Sequence, residues 1–308
     1  MDLLVGNTGF VGSNILQSHA FDTAYHSSDI ESAYGLQPDL CVYAGVRAEK
    51  YLAQHDPEAD RKVINSAIEN IQKIQPRRLV LISTIDVYPS PIDVDENSVI
   101  VDNSMNVYGT NRRILEKWVQ ENVADYLIVR LPALFGHNIK KNFIYDLIHI
   151  VPSMLKKEKY LELTAQDPEI AGYYSELQNG FYKCTASGEE ERLLRPRFEA
   201  LGFSALNFTD SRAEYQFYDL TCLWKHIDTA LVNGLNLVNL AVEPVKAAEL
   251  YKNLRNTDFE NELGDSFPRY DFRTIHAERF GGQNGYIFDK SRVMADIRKR
   301  MLDEGALL

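Results

Sequence analysis

Three side chains have the types and spacing needed to move a proton. The run Leu79-Val80-Leu81-Ile82 reads as a buried strand, and it ends in Ser83-Thr84-Ile85-Asp86-Val87-Tyr88. Further along stands Tyr108-Gly109-Thr110-Asn111-Arg112-Arg113-Ile114-Leu115-Glu116. On a helix, Tyr108 and Arg112 are related as i and i+4 and share a face. A hydroxyl at a strand end can meet that face. Thr84, Tyr108 and Arg112 then form a hydroxyl, a phenol and a fixed cation. The cation favours the tyrosinate and should lower the phenol pKa from its usual value of about 10, which suits general acid–base work.

The second feature is the N-terminal run MDLLVGNTGFVGSNI. A short apolar strand, Leu3 to Val5, feeds Gly6-Asn7-Thr8-Gly9-Phe10-Val11-Gly12, and a helix-compatible stretch follows. Gly6 can take a turn with positive φ, Gly9 can expose bare backbone to a pyrophosphate, and Gly12 lets the helix pack close to the sheet. The helix start would then face its N–H groups and dipole towards phosphates. A tight strand–helix turn with no ligand would look the same in isolation. The Thr84–Tyr108–Arg112 set tips the balance towards a dinucleotide site.

These residues need elements to position them. Strands are expected at Asp2–Val5, Thr23–His26, Leu40–Ala44, Arg78–Ser83 and Tyr126–Leu131, each apolar without clean alternation, as in a sheet buried on both faces. Helices are expected near Gly12–Ser18, Glu58–Ile74 and Tyr108–Asn122. The alternation predicts an α/β fold with a Rossmann-like doubly wound parallel sheet. The link from Ser27 to Asp39 leaves little room for a crossover helix. Residues 137–207 read as mostly helical, with polar breaks at Gln178-Asn179-Gly180 and Ser187-Gly188. A helix at Leu220–Val232 and a strand at Leu235–Leu240 restore the α/β pattern. The tail, 242–308, reads as helical with a turn at Gly281-Gly282. The expected division is a dinucleotide-binding domain of 1–136 plus 208–241, and a smaller, discontinuous, mainly helical substrate domain of 137–207 plus 242–308.

Composition narrows the function. The 308 residues carry a net charge of −11, with 45% hydrophobic content. That acidity disfavours nucleic acid and anionic membranes as partners. No apolar run approaches the ~20 residues of a membrane helix, and no leader is expected. Cys41, Cys184 and Cys222 are odd in number and dispersed, which points to reduced thiols and a cytoplasmic location. The histidines show no metal-ligand spacing, so no metal is expected. His137, His149 and His276 read as structural or surface residues, and Glu189–Arg192 as a solvated charge run.

With these residues in view, the chain resembles the extended short-chain dehydrogenase/reductase superfamily, in its nucleotide-sugar epimerase, dehydratase and reductase branch. The family's TGxxGFxG turn, strand-end serine/threonine motif and YGxxKxxxE helix stand here as VGNTGFVG, STIDVY and YGTNRRILE. The resemblance implies that Thr84 is the catalytic hydroxyl and Tyr108 the general acid/base. Arg112 occupies the place of the family's lysine, which holds the nicotinamide ribose; it keeps the charge but is a planar fork rather than a point charge. The implied cofactor residues are Gly6, Thr8, Gly9, Phe10, Val11 and Gly12 at the pyrophosphate. Ser27, Asp29 and Ile30 fall at the adenosine, Ala44 and Gly45 at the third strand end, and Ser83 beside Thr84. Leu131, Ala133 and Leu134 belong to the segment that closes over the nicotinamide. Asn65 and Asn239 match family asparagines.

Asp86, Lys140, Lys141, Asn142 and Arg212 are the implied substrate residues. Arg212 is followed by Asp219 in the family's diphosphate-binding pattern, and Lys140-Lys141-Asn142 could equally be a solvated helix start. No acid ends the second strand itself, so the cofactor is NADP or NAD with the balance towards NADP. The implied activity is reduction or epimerisation of a nucleotide-linked sugar, with dehydration open through Asp86. A dinucleotide-binding protein without catalysis is the alternative, supported by Arg112 and the unplaced stretch 152–205. A homodimer is expected through the helices Glu58–Ile74 and Tyr108–Asn122. Ile64, Ile71, Leu115 and Trp118 are its candidate contacts, unless they face the sheet.

Overall fold

A computed structural model describes residues 1–101, 106–177 and 179–306 of the chain. The polar break expected at Gln178 lies outside the described residues. Five expected strands form: β1 (Asp2–Val5), β2 (Thr23–Tyr25), β3 (Leu40–Tyr43), β4 (Arg78–Thr84) and β5 (Tyr126–Leu131). With the strand Leu237–Asn239 they make one six-stranded sheet, ordered Leu237–Asn239, β5, β4, β3, β1, β2. Every pairing is parallel. Leu3, Leu4, Cys41, Val42, Leu79, Val80, Leu127 and Ile128 are all fully buried. Neighbouring residues in a strand point to opposite faces, so both faces of this sheet are covered. The β2–β3 link holds only a single 3-10 turn, Ile30–Ala33.

Four helices frame the candidate site: α1 (Phe10–Ser18), α2 (Lys50–His55), α3 (Pro57–Ile74) and α4 (Val107–Asn122). α3 starts with Pro57 in its first turn and an Asp56 side chain that accepts from the Ala59 N–H. It ends where Gln75 turns left-handed at φ 54°. Ile64, Ala67, Ile71 and Ile74 are buried along one face of α3, at helical spacing. α4 is capped by Asn106, whose side chain accepts from the Gly109 N–H. Its Leu115 and Val119 join Ile64, Ile71 and the sheet in one core. Burying each such aliphatic side chain stabilises the fold by about 1.5–3 kcal/mol. Ile64, Ile71 and Leu115 therefore serve the sheet rather than a second copy, and Trp118 packs against the same core. Asn65 stands on the exposed face of α3.

The chain divides into two compact units: Met1–Ile139 with Glu214–Val245 and Arg269–Ile297, and Lys140–Ala213 with Lys246–Pro268 and Arg298–Leu308. Residues 269–297 thus pack with the parallel sheet, whereas the sequence groups them with the rest of the tail. The reason is local: Phe272 is buried with Ile85, Val87, Tyr88 and Ala241, and Tyr270 and Tyr286 pack on that cluster. The tail is also less helical than expected, with α-helix among its described residues only at Ala247–Arg255 and Lys290–Asp303.

The second unit departs from the expectation for 137–207 as well. It holds helices at Phe143–Ile148, Lys157–Gln166 and Glu189–Ala200, but also a three-stranded antiparallel sheet. Met154–Lys156 and Tyr174–Glu176 flank Phe181–Cys184 in that sheet. Strands this short carry too few residues for their alternation to show in sequence. Leu155, Leu163, Ile170, Tyr174, Leu194 and Phe198 form the core of this unit. Among the described residues, no helix is long and apolar enough to cross a membrane.

Candidate active site

β1 pairs with β2 on one side and β3 on the other. This is the point where the winding of the sheet reverses, and a crevice opens beyond the strand ends. The glycine turn lies there. Gly6 has φ +92°, and a Cβ on it would stand 2.5 Å from the Ala44 carbonyl oxygen. Glycine at this position lets the turns after β1 and β3 touch, which brings Ala44 and Gly45 against it. A Cβ on Gly12 would meet the Gly6 carbonyl oxygen at 2.2 Å, so the first turn of α1 packs directly on the glycine turn. Gly9 and Thr8 are exposed, with Phe10 and Val11 half-buried behind them.

Gly9 is the N-cap of α1, and no side chain caps that helix. The first N–H groups of a helix have no partner within it. The buried Oδ1 of Asn7 also lacks a hydrogen-bond partner. An exposed glycine and uncapped N–H groups fit a dinucleotide pyrophosphate, whereas the Asn7 amide oxygen is an acceptor and would need a donor instead. At the β2 end, Asp29 Oδ1 accepts from the His26 N–H at 2.7 Å, and Ser28 Oγ lies 2.8 Å from His26 Nδ1. Asp29 thus closes a local turn, Ser27 is exposed within it, and Ile30 is buried beneath.

β4 delivers Thr84 to the edge of the same crevice. Thr84 Oγ1 donates to Asp86 Oδ2 at 3.1 Å and accepts from the Asp86 N–H at 3.2 Å. This closes a single 3-10 turn, Ile85–Val87. A Cβ on Gly109 would lie 2.0 Å from the Asp86 carbonyl oxygen. The backbone of α4 therefore rests directly on that turn and brings Tyr108 beside Asp86. Tyr108 is buried, and the Arg112 guanidinium carbon lies 3.8 Å from its ring centroid.

Arg112 is not a free cation. Its Nη1 donates to Asp60 Oδ1 at 2.7 Å, and its Nη2 donates to the Arg47 carbonyl at 2.6 Å. Asn111 Nδ2 donates to Asp60 Oδ2 at 2.7 Å. Arg112 and Asp60 keep only 4% and 1% exposure. The sequence missed Asp60; an acid at the start of α3 reads as helix-dipole decoration. Burial pushes the Tyr108 phenol up from its ordinary value, against the pull of Arg112. The sequence predicts the opposite direction, because it sees the cation but not the burial. Lys50, at the start of α2, was also missed. Its Nζ lies 2.9 and 2.8 Å from the two Asp86 carboxylate oxygens and 5.8 Å from the Tyr108 ring centroid.

A buried polar network fixes the elements behind the site. Glu116 accepts from Arg130 at 2.9 and 2.7 Å and from Arg113 at 2.9 Å. Ser83 Oγ donates to Glu116 at 2.6 Å, so this hydroxyl proton is directed inward. Arg130 Nη1 and Asn239 Nδ2 both donate to the Tyr88 hydroxyl, at 2.8 and 3.0 Å. Asn239 is fully buried in this network. Leu131 ends β5, and Ala133 and Leu134 pair in parallel with Phe217 and Tyr218.

The remaining candidates belong to the second unit. Lys140 and Lys141 are exposed. Asn142 caps the helix Phe143–Ile148, accepting from the Ile144 and Tyr145 N–H groups at 3.0 and 3.3 Å. Arg212 pairs with Asp210 at 2.7 Å and Glu262 at 2.9 Å, and its guanidinium holds the Asp210 carboxyl well below the usual carboxylate range. Among the described residues, no cluster of His, Cys, Asp or Glu could hold a metal.

A parallel sheet with a glycine turn at its reversal point defines a Rossmann-type fold. No family model matches the chain. The dTDP-4-dehydrorhamnose reductase of Salmonella typhimurium is 24% identical over 292 residues, covering 87% of this chain and 94% of that protein. The dTDP-4-dehydrorhamnose reductase of Bacillus anthracis, solved with NADP, superposes with a TM-score of 0.64 at 12% identity, covering 98% and 97% of the two chains. RMD of Pseudomonas aeruginosa, solved with NADPH, gives 0.62 at 15% identity, covering 98% of each chain. The enzyme WbmG of Bordetella bronchiseptica, solved with NAD and UDP, gives 0.63 at 12% identity, covering 99% and 95%. These solved structures share the fold of this chain over nearly its whole length, and the sequence similarity to the Salmonella typhimurium reductase is weak.

Proposed function

We propose that this protein is an NAD(P)-dependent enzyme that reduces or epimerises a nucleotide-linked keto-sugar. The observation that carries the reading is the packing of Gly109 on Asp86, which sets the Tyr108 phenol beside the Thr84 turn at the end of β4. The nicotinamide supplies or accepts the hydride. Gly6, Thr8, Gly9, Phe10, Val11 and Gly12 would hold its pyrophosphate, and Ala44, Gly45, Leu131, Ala133 and Leu134 would line the rest of the cofactor site. Asp29 is already engaged with His26, which supports NADP over NAD. Tyr108 gives its proton to the sugar oxygen, and a phenol pushed up by burial keeps that proton at neutral pH. Thr84 shares the same oxygen, and Asp86 orients Thr84.

Lys140, Lys141 and Arg212 are the candidate anion-binding residues for the nucleotide diphosphate. The three cysteines, all unpaired, support work in the reducing cytoplasm. A homodimer through α3 and α4 would use outer faces of these helices, and the solution mass at micromolar concentration tests it.

The deciding experiment follows NADPH oxidation with a panel of nucleotide-linked keto-sugars, for the wild type and Tyr108→Phe. Turnover should fall about 10²–10⁴-fold in the variant, with NADPH affinity nearly unchanged. Full turnover by Tyr108→Phe would refute the mechanism. The second reading is a dinucleotide-binding protein without catalysis. It is favoured by the Arg112–Asp60 pair, which already engages the guanidinium that would otherwise hold a ribose. Tight NADPH binding with no turnover on any sugar would support it.

A further inference from the structure

We propose that Lys50, rather than Arg112, is the titratable partner that recharges Tyr108 with its proton. This inference rests on the acid–base role given to Tyr108 above. Four observations carry it. Arg112 is locked between Asp60 and the Arg47 carbonyl, and a guanidinium does not release protons in proteins. Lys50 Nζ is the ammonium found 5.8 Å from the Tyr108 ring centroid. Its side chain is 54% exposed while its Asp86 partner is 11% exposed, so Lys50 bridges solvent and the covered turn. Asp86 in turn accepts the Thr84 hydroxyl, so the ammonium, the carboxylate, the threonine and the phenol border one turn.

The charged and titratable groups around Tyr108 are Arg112 on α4, Asp60 on α3, Asp86 on the turn after β4, and Lys50 on α2. Tyr270 faces Lys50 and Asp86. Asp60 partly offsets Arg112 as its buried partner. Of the two cations, only Lys50 can give up a proton and regain one from water.

The step balances simply. In reduction the Tyr108 O–H bond breaks and its proton goes to the sugar oxygen as hydride reaches the carbon. A Lys50 N–H bond then breaks, its proton goes to one bridging water that passes its own proton to the tyrosinate, and the neutral amine takes a proton from solvent. Asp86 holds the Lys50 head group in place and does not change protonation.

Two readouts test this. The first needs no turnover: the Tyr108 titration is followed by NMR of ring-labelled tyrosine, assigned by its loss in Tyr108→Phe. Lys50→Met should raise the Tyr108 midpoint by about one unit, the order expected for removing a nearby opposite charge. An unmoved midpoint would overturn the proposal even if no sugar substrate were found. The second compares Lys50→Arg with Lys50→Met in turnover. Arginine keeps the pair with Asp86 but does not release a proton at working pH. Lys50→Arg should therefore lose turnover as Lys50→Met does, and methylamine should restore Lys50→Ala in proportion to its concentration. Full activity in Lys50→Arg would reduce Lys50 to a holder of Asp86. Wild-type inactivity on every sugar, with the midpoint shift present, would sink the enzymatic reading while leaving the Lys50–Tyr108 coupling intact.

Discussion

Gly109 and Asp86 are in backbone contact: a Cβ on Gly109 would stand 2.0 Å from the Asp86 carbonyl oxygen. The helix that carries Tyr108 can approach the β4 end only because position 109 has no side chain. Gly109→Ala should force these elements apart and cost about 1–3 kcal/mol of stability, as overpacking does. Gly172→Ala is the control, since nothing lies within 4 Å of its added methyl. Urea unfolding midpoints check the pair. Equal midpoints for both variants would mean that the contact relaxes without strain.

The Arg112–Asp60 pair should behave as a buried ion pair. Asp60→Asn leaves the Arg112 charge uncompensated and should cost about 3–5 kcal/mol. Arg112→Lys keeps the charge with Asp60 but loses the second arm to the Arg47 carbonyl, so its cost should be smaller yet measurable. Denaturant titration at neutral pH orders the two. An Arg112→Lys variant more stable than wild type would overturn the view that the fork is the reason for arginine here.

The glycine turn makes a separable prediction about the dinucleotide. Gly9 is exposed at φ −74°, and its Cβ would approach only the Gly6 carbonyl oxygen, at 3.2 Å. Gly9→Val should keep the fold and lose NADPH binding, because the side chain fills the place of the phosphates. Fluorescence titration with NADPH reads the affinity. Unchanged binding would remove the turn from the cofactor site.

His226 gives the fold a pH dependence. It is buried against the Tyr218 hydroxyl, at 2.6 Å, and burial pushes its pKa down to about 4 from the model-compound 6.5. Between those values the unfolded chain binds more protons than the folded one. The stability tied to neutral His226 is thus present above pH 6.5 and lost as pH falls towards 4. His226→Gln keeps a polar partner for Tyr218 and does not titrate. Melting temperatures from pH 7 to pH 4.5 should fall less steeply for the variant. Parallel curves would place the acid sensitivity elsewhere.

Local sequence was enough to determine the parallel sheet, the glycine turn and the helix that carries Tyr108 and Arg112 on one face. These depend on apolar runs buried on both faces, on glycines where a Cβ cannot fit, and on i,i+4 spacing, all of which act over a few residues. Only the tertiary structure decided what neutralises each charge. Asp60 reaches Arg112 from α3 and Lys50 reaches Asp86 from α2, and no periodicity links those positions. The same holds for Phe272 packing on Ile85, Val87 and Tyr88, which takes 269–297 to the first unit, and for the short sheet of the second. Pairing between distant elements depends on where the chain is folded, and burial, which set the direction of the Tyr108 phenol, is a property of the whole packed unit.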